Sequence, residues 1–135
     1  MGTRSLTHVE DDDGTVLVTI YGQMDGYPTG MGEDLAKFLR GRTVVNGFGI
    51  NTPAKASNGM GCLAASLVTF LKAPAGIGGI YLCPPASSDC GEEYTYCVYP
   101  AEGGVRLSCR GGANAESLLF DGPAESFDGE AIENA

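Results

Sequence analysis

Between Gly78 and Gly122 the chain never goes far without a turn signal, and this confines its second half to short extended segments. The stretches "GGIYLCPP", "EEYTYCVYP", "GGVRLSCRG" and "ESLLFDG" are rich in aromatic and β-branched residues and are bounded by glycine, proline or acidic turns. They read as four short strands at intervals of about ten residues. The strand from Glu93 to Tyr99 sends Tyr94, Tyr96 and Val98 to one side. In the strand from Val105 to Arg110, Val105, Leu107 and Cys109 face the core, and Arg106, Ser108 and Arg110 face away. The chain also begins with strands, over residues 3–10 and 15–24, joined by "EDDDGT". Aspartate-glycine at the tip is a strong hairpin signal. In the second of these strands Val16, Val18 and Ile20 oppose Leu17, Thr19 and Tyr21, so both faces are partly apolar. Such a strand is central or covered.

Two helical patterns stand between these β regions. Over residues 31–40, Met31, Leu35, Phe38 and Leu39 form one stripe, Glu33 and Asp34 occupy the first turn, and Gly41 stops the helix. Over residues 59–73, Met60, Leu63, Ala64, Leu67, Val68 and Leu71 share a face, Asn58 stands at the cap position, and Pro74 and Gly76 end the pattern. The intervening "RTVVNGFGINTPAKAS" reads as extended or looped. The order ββααββββ predicts an α+β domain over residues 1–122: an antiparallel sheet of the N-terminal hairpin plus the C-terminal strands, with two helices packed on one face. The other face is then solvated or covered by a second subunit, and strands this aromatic favour a homo-oligomer. Residues 123–135, acidic and small, read as a flexible tail.

A chain of 135 residues with 43% hydrophobic content fits one globular domain. Its net charge of −9, from 17 acidic and 8 basic side chains, argues against a broad nucleic-acid or membrane-binding surface. An anionic ligand would have to be held by a few placed arginines and backbone amides. The N-terminus has no apolar core of signal-peptide length, and Ser5 and Leu6 depart from a myristoylation pattern after Gly2. A cytoplasmic protein is expected. The five cysteines, Cys62, Cys83, Cys90, Cys97 and Cys109, contain no CxxC pair, and His8 is the single histidine. They read as reduced, mostly buried thiols rather than a zinc site.

Both helices open with Gly-Met-Gly, at Gly30–Gly32 and at Gly59–Gly61, the second including Met60. Helix N-termini with so little side chain could receive a phosphate, or could simply let the helix pack closely on the sheet. Arginine is the residue for bidentate phosphate recognition. Arg40 and Arg42 flank a helix end, where they complement its dipole, whereas Arg4, Arg106 and Arg110 lie in strands. These three are ligand candidates or protectors of an edge strand. Tyr27 and Tyr81, beside turns, are better placed to stack on a base than Tyr94 and Tyr96, which read as sheet packing. Gln23 and Asp25 could bond a sugar or base edge, or could shape the turn before Pro28. No HExxH, GxSxG or paired-carboxylate spacing appears, and Asp11–Asp13 lack EF-hand spacing. No catalysis, cofactor or metal is expected.

Taken together, "MGTRSLT", "YGQMDGYPTGMGEDLAKFL", "NGMGCLAASLV" and "GGIYLCPP…EEYTYCVY" resemble a group of short phage and prophage proteins, the first described type of Thoeris anti-defence sponge. The likeness spans roughly residues 1–110 in length, motif and element order. It implies a protein that acts in the host bacterial cytoplasm and binds, without cleaving, the cyclic ADP-ribose signals made by TIR-domain immune enzymes. Cyclic oligonucleotides occupy separate sites in some members. The implied assembly is a dimer or a higher homo-oligomer such as a hexamer. The implied pocket, at a subunit interface, has an aromatic ring on the adenine, arginines on the pyrophosphate and an asparagine nearby. The matching residues are Tyr81, Arg106 and Arg110, with Asn58 as the asparagine. Asp89 stands where an amide is expected, and Met24 where a bulkier aromatic is common.

A second reading is an acidic phage inhibitor that binds a host defence protein directly. Mimicry of nucleic acid needs acids in regular rows on one face. Here they cluster at the hairpin tip, around residues 89–93 and in the tail.

Overall fold

The computed structural model describes residues 2–49, 52–102, 104–112 and 115–135; Met1, Ile50, Asn51, Gly103, Ala113 and Asn114, within stretches read above, lie outside them. The chain is α+β. Its strands are β1 (Ser5–Glu10), β2 (Val16–Gly22), β3 (Thr43–Val45), β4 (Ala56–Asn58), β5 (Ile80–Cys83), β6 (Tyr94–Ala101), β7 (Gly104–Gly111) and β8 (Ser117–Pro123). The helices are α1 (Glu33–Leu39), entered through a π-helical turn at Pro28–Gly32, α2 (Gly59–Ala75) and α3 (Gly129–Glu133). Among the described residues no helix is long and apolar enough to cross a membrane.

Six strands form the main sheet in the order β5-β2-β1-β6-β7-β8. It is mixed and not the antiparallel sheet expected, because β1 and β6 run parallel, with Ser5 opposite Tyr94 and Val9 opposite Val98. The cause is where β5 adds. It pairs antiparallel with the outer edge of β2, so it runs in the same direction as β1. The chain must then cross β2 and β1 to start β6 on the far side of β1. Parallel strands need such a crossover in place of a tight turn. Residues 84–93, "PPASSDCGEE", provide it without a helix. Their prolines and glycine resemble a hairpin loop, which is why local signals did not distinguish the two. The element order also departs from ββααββββ. β3 and β4 form a separate two-stranded parallel sheet between the helices, and α3 follows β8.

The two expected helices cover one face of the sheet. Leu35, Phe38 and Leu39 of α1 and Met60, Leu63, Leu67 and Leu71 of α2 are buried against Val9, Ile20, Tyr96, Val98, Leu107 and Cys109. Each fully buried leucine contributes about 1.5–3 kcal/mol of transfer free energy. Asn58 does not cap α2: its Oδ1 accepts from the Gly47 amide at 2.7 Å, and it joins β4 to the preceding loop.

Residues 124–133 pack on the domain rather than lying free of it. A 3-10 turn at Ala124–Ser126 leads to Phe127, only 4% exposed, whose ring meets Phe120 edge-on at 5.1 Å between centroids. Phe127 fits because Gly32 lacks a side chain; a Cβ there would lie 2.6 Å from Phe127 Cζ. Glu33 accepts from the Gly129 amide at 2.7 Å and pairs with Arg40 at 3.2 Å. Arg40 in turn donates to the carbonyls of Ala124 and Phe127. The first Gly-Met-Gly therefore receives the C-terminal segment. At the second, Gly59 takes a left-handed backbone, with φ +83°, and Gly61 faces open space.

Candidate binding surface

The sheet face turned away from α1 and α2 carries most of the polar and aromatic strand residues. Register makes two rows across it. One runs Tyr81, Tyr21, Leu6, Thr95, Arg110 and Leu118, from β5 to β8. The next runs Cys83, Thr19, His8, Cys97, Ser108 and Asp121. The 84–93 crossover lies over the middle of these rows. Its Ala86 amide donates to Thr19 Oγ1 at 2.9 Å, and Glu93 donates its amide to the Arg4 carbonyl at 2.9 Å.

The surface therefore has two exposed ends. At the β5 edge Tyr81 is 47% exposed, with its ring 6.0 Å from that of Tyr21 and Lys72 Nζ 5.9 Å from its centroid. At the other end Arg106 Nε lies 3.3 Å from the Tyr99 hydroxyl and 3.9 Å from an Asp121 carboxylate oxygen, and Nη2 donates to the Asp121 carbonyl. Tyr99 also bonds the Asp121 carboxylate. Arg110, exposed, donates to the Glu116 carbonyl at 3.1 Å. Tyr81 and the two arginines share a face, but Arg110 stands four strand spacings from Tyr81, about 19 Å, and Arg106, four residues along β7, lies farther still. One chain does not bring them together. Arg4 is exposed just ahead of β1, with its guanidinium over Gly91 of the crossover. Asn58 lies at the opposite side of the fold, beside Phe48 and Cys62, and Met60 is a core residue, 3% exposed.

Gln23, Asp25 and Tyr27 form a second group, in the loop from β2 to α1. The Gln23 amide donates to the Gly79 carbonyl at 2.8 Å, which ties the loop to the start of β5. Asp25 takes a left-handed backbone, φ +57°, and accepts from the Tyr27 hydroxyl at 3.1 Å. That bond to a carboxylate raises the phenol above its usual range. Met24 and Asp25 line an open recess of about 410 Å3, together with Asp34 of α1, Leu71 and Pro74 of α2, and Ile77 and Ile80. Burial raises the Asp34 carboxyl above the usual carboxylate range, against the pull of Lys37 and with Asp25 and Glu33 adding repulsion. Met24, Asp34 and Ile77 escaped sequence reasoning. Ile77 had a signal: an isolated large aliphatic residue inside "AGIGG", where no packing pattern claims it.

His8 and Cys97 are register partners on β1 and β6, a pairing that invites comparison with a thiol-imidazole nucleophile. The geometry differs. Cys97 Sγ donates to Glu10 Oε2 at 3.1 Å, and burial with that bond pushes its thiol up to about 12. His8 Nδ1 lies 2.8 Å from Thr19 Oγ1. Desolvation lowers its pKa, against the pull of Glu10 and Glu92. A protonated thiol beside a neutral imidazole is not an activated nucleophile.

No protein-family model, no curated protein and no solved structure matches this chain.

Proposed function

We propose that the protein is a phage-encoded sponge that binds cyclic nucleotide immune signals of the cyclic ADP-ribose class intact in the host cytoplasm, and so keeps their effector silent. The observation that carries this reading is the division of one sheet face into an aromatic end, Tyr81 with Tyr21, and an arginine end, Arg106 with Arg110. A base stacks on the first and a pyrophosphate pairs with the second. The separation of about 19 Å between Tyr81 and Arg110 means that a ligand needing both draws them from two copies of the chain. The functional unit is therefore a homo-oligomer with the pocket at a subunit interface.

A scarce signal has to be held near nanomolar affinity, about 12 kcal/mol at standard state. Rigid rings and charge-assisted hydrogen bonds in a subunit-shared recess supply that efficiently. Arg106 is held by Asp121 and Tyr99 in the free chain, so the ligand's phosphate displaces a carboxylate to reach it.

The test is to incubate purified protein with a panel of cyclic nucleotides, remove the protein, and analyse the supernatant and the heat-released fraction by mass spectrometry. The reading expects depletion followed by release of intact ligand, with both Tyr81→Ala and Arg110→Ala abolishing depletion. A cleaved product makes the protein an enzyme. No depletion of any cyclic nucleotide, or a monomer by sedimentation at ligand-binding concentrations, overturns the proposal.

A further inference from the structure

The cavity between the β2–α1 loop and the end of α2 has a chemistry unlike that of the sheet face. Its walls are apolar: Met24, Met31, Leu71, Ile77 and Ile80, with Pro74 at the base of the last helical turn. Its volume, about 410 Å3, falls in the range that accepts a small organic molecule. Every charge lining it is negative. Asp25 stands on the loop and Asp34 on the first turn of α1. The 17-residue helix α2 directs its C-terminal end here, which adds roughly half a negative charge from unpaired carbonyls. Two lysines stand near it: Lys37, one helical turn on from Asp34, acts on that carboxylate from outside the lining, and Lys72 donates to the Gly78 and Ile80 carbonyls at 3.0 and 3.2 Å.

Two rim residues are exposed although apolar. Ile77 is fully solvated at 105% and Met24 is 59% exposed, so a guest would bury surface that the free chain leaves in water. Methionine at both Met24 and Met31 gives walls that adapt to an irregular body. Asp25 and Asp34 sit on separate segments and face the same recess, so a cation placed between them meets both carboxylates, while Lys37 offsets part of the charge on Asp34.

We infer that this cavity is a binding site for a small organic cation, one protonated amine or guanidinium carried on an aliphatic or aromatic body. The body fills the Met24–Ile77–Ile80 side, and the cation lies between the two carboxylates. Such a site rejects phosphates, so it is separate from the sheet-face reading and stands or falls without it.

The experiment is an amide 1H–15N titration of the intact protein with phenethylammonium, with 2-phenylethanol and 3-phenylpropionate as neutral and anionic controls on a similar body. Phenethylammonium is expected to shift the amides of Asp25, Asp34, Gly79 and Ile80 in a saturable way. The alcohol should bind at least roughly tenfold more weakly, and the carboxylate more weakly still. Added salt should weaken the amine alone. Asp25→Asn with Asp34→Asn should reduce the amine to the affinity of the alcohol; asparagine tolerates the left-handed backbone at position 25. Should the double variant fail to reproduce the native spectrum away from the cavity, Asp34→Asn alone and the three-ligand comparison on the unaltered protein decide the matter. Equal binding of amine and alcohol, or no saturable shift at millimolar amine, refutes the inference.

Discussion

The Tyr96 hydroxyl donates to the Gly26 carbonyl at 2.7 Å, joining the middle of the sheet to the glycine-rich loop between β2 and α1. Tyr96 is wholly buried, Gly26 is buried as well, and desolvation raises the phenol far above its usual range. The hydroxyl therefore stays protonated and works as a structural donor. Tyr96→Phe leaves the ring in place and orphans a buried carbonyl, a loss of about 1–3 kcal/mol. Urea unfolding should show that destabilisation with an unchanged slope. Amide exchange should speed up most over residues 25–31, because the loop loses its tether to β6. Uniform acceleration across the chain would place the bond's effect on global stability alone.

The docked C-terminal segment makes a second prediction. Phe127 fills a space defined by Gly32, Tyr96 and Phe120, and its burial is nearly complete. Phe127→Ala should cost about 3–5 kcal/mol, in the range of buried aromatic truncations. Gly129→Ala should undock α3 by a different route, since a Cβ there would meet the Pro28 carbonyl oxygen at 2.5 Å and its carbon at 2.7 Å. Backbone cannot move aside as a side-chain tip can. Thermal melts of the two variants, together with limited proteolysis after residue 123, check both. A native-like melting temperature in Phe127→Ala would mean that the segment adds no stability.

How far the sequence reveals this molecule depends on the range of the signal. Alternation placed Tyr96 and Val98 on the buried side of β6 and Leu107 and Cys109 on that of β7, since period two is a local property. The apolar stripes of α1 and α2 were equally readable. The parallel pairing of β1 with β6 was not, because it follows from the edge to which β5 adds, and no residue in β5 encodes that choice by itself. The C-terminal segment misled for a related reason. Glu125, Asp128 and Glu130 look like a solvated tail, while a single aromatic, Phe127, anchors it against a distant glycine. On the candidate surface, Tyr81, Arg106 and Arg110 were picked by residue type, which says nothing of the distance of about 19 Å or more between the ring and either arginine.

The cysteines should separate by reactivity. Cys62 is exposed on α2, whereas Cys109 is buried in the core and Cys97 is half-buried within the second sheet-face row. Burial pushes the thiols of Cys97 and Cys109 up to about 12, so at pH 8 only about one in 10^4 of either is thiolate. Alkylation by iodoacetamide of the folded protein, followed by peptide mass spectrometry, should label Cys62 first and Cys109 last. In urea all five should react at similar rates. Rapid labelling of Cys97 in the folded state would show that its bond to Glu10 does not hold the proton.

Acid should loosen the crossover through His8. Thr19 Oγ1 accepts from the Ala86 amide and lies 2.8 Å from His8 Nδ1, so the hydroxyl proton is free to be donated to an unprotonated imidazole nitrogen. Protonating Nδ1 would set a donor against that hydroxyl and weaken its hold on residues 84–93. Desolvation lowers the folded-state pKa of His8 below its ordinary 6.5. The unfolded chain then takes up a proton first as pH falls. The contribution to stability is complete above about pH 6.5, and it is lost as pH drops through the lower folded value. Urea midpoints measured from pH 7.5 down to 5 should therefore decline more steeply in the native protein than in His8→Gln, which does not titrate. Carboxylates other than Glu10 and Glu92, the two that act on His8, contribute equally to both proteins and cancel in the comparison. Parallel curves would mean that His8 carries the same affinity for protons folded and unfolded, and would remove its role in holding the crossover.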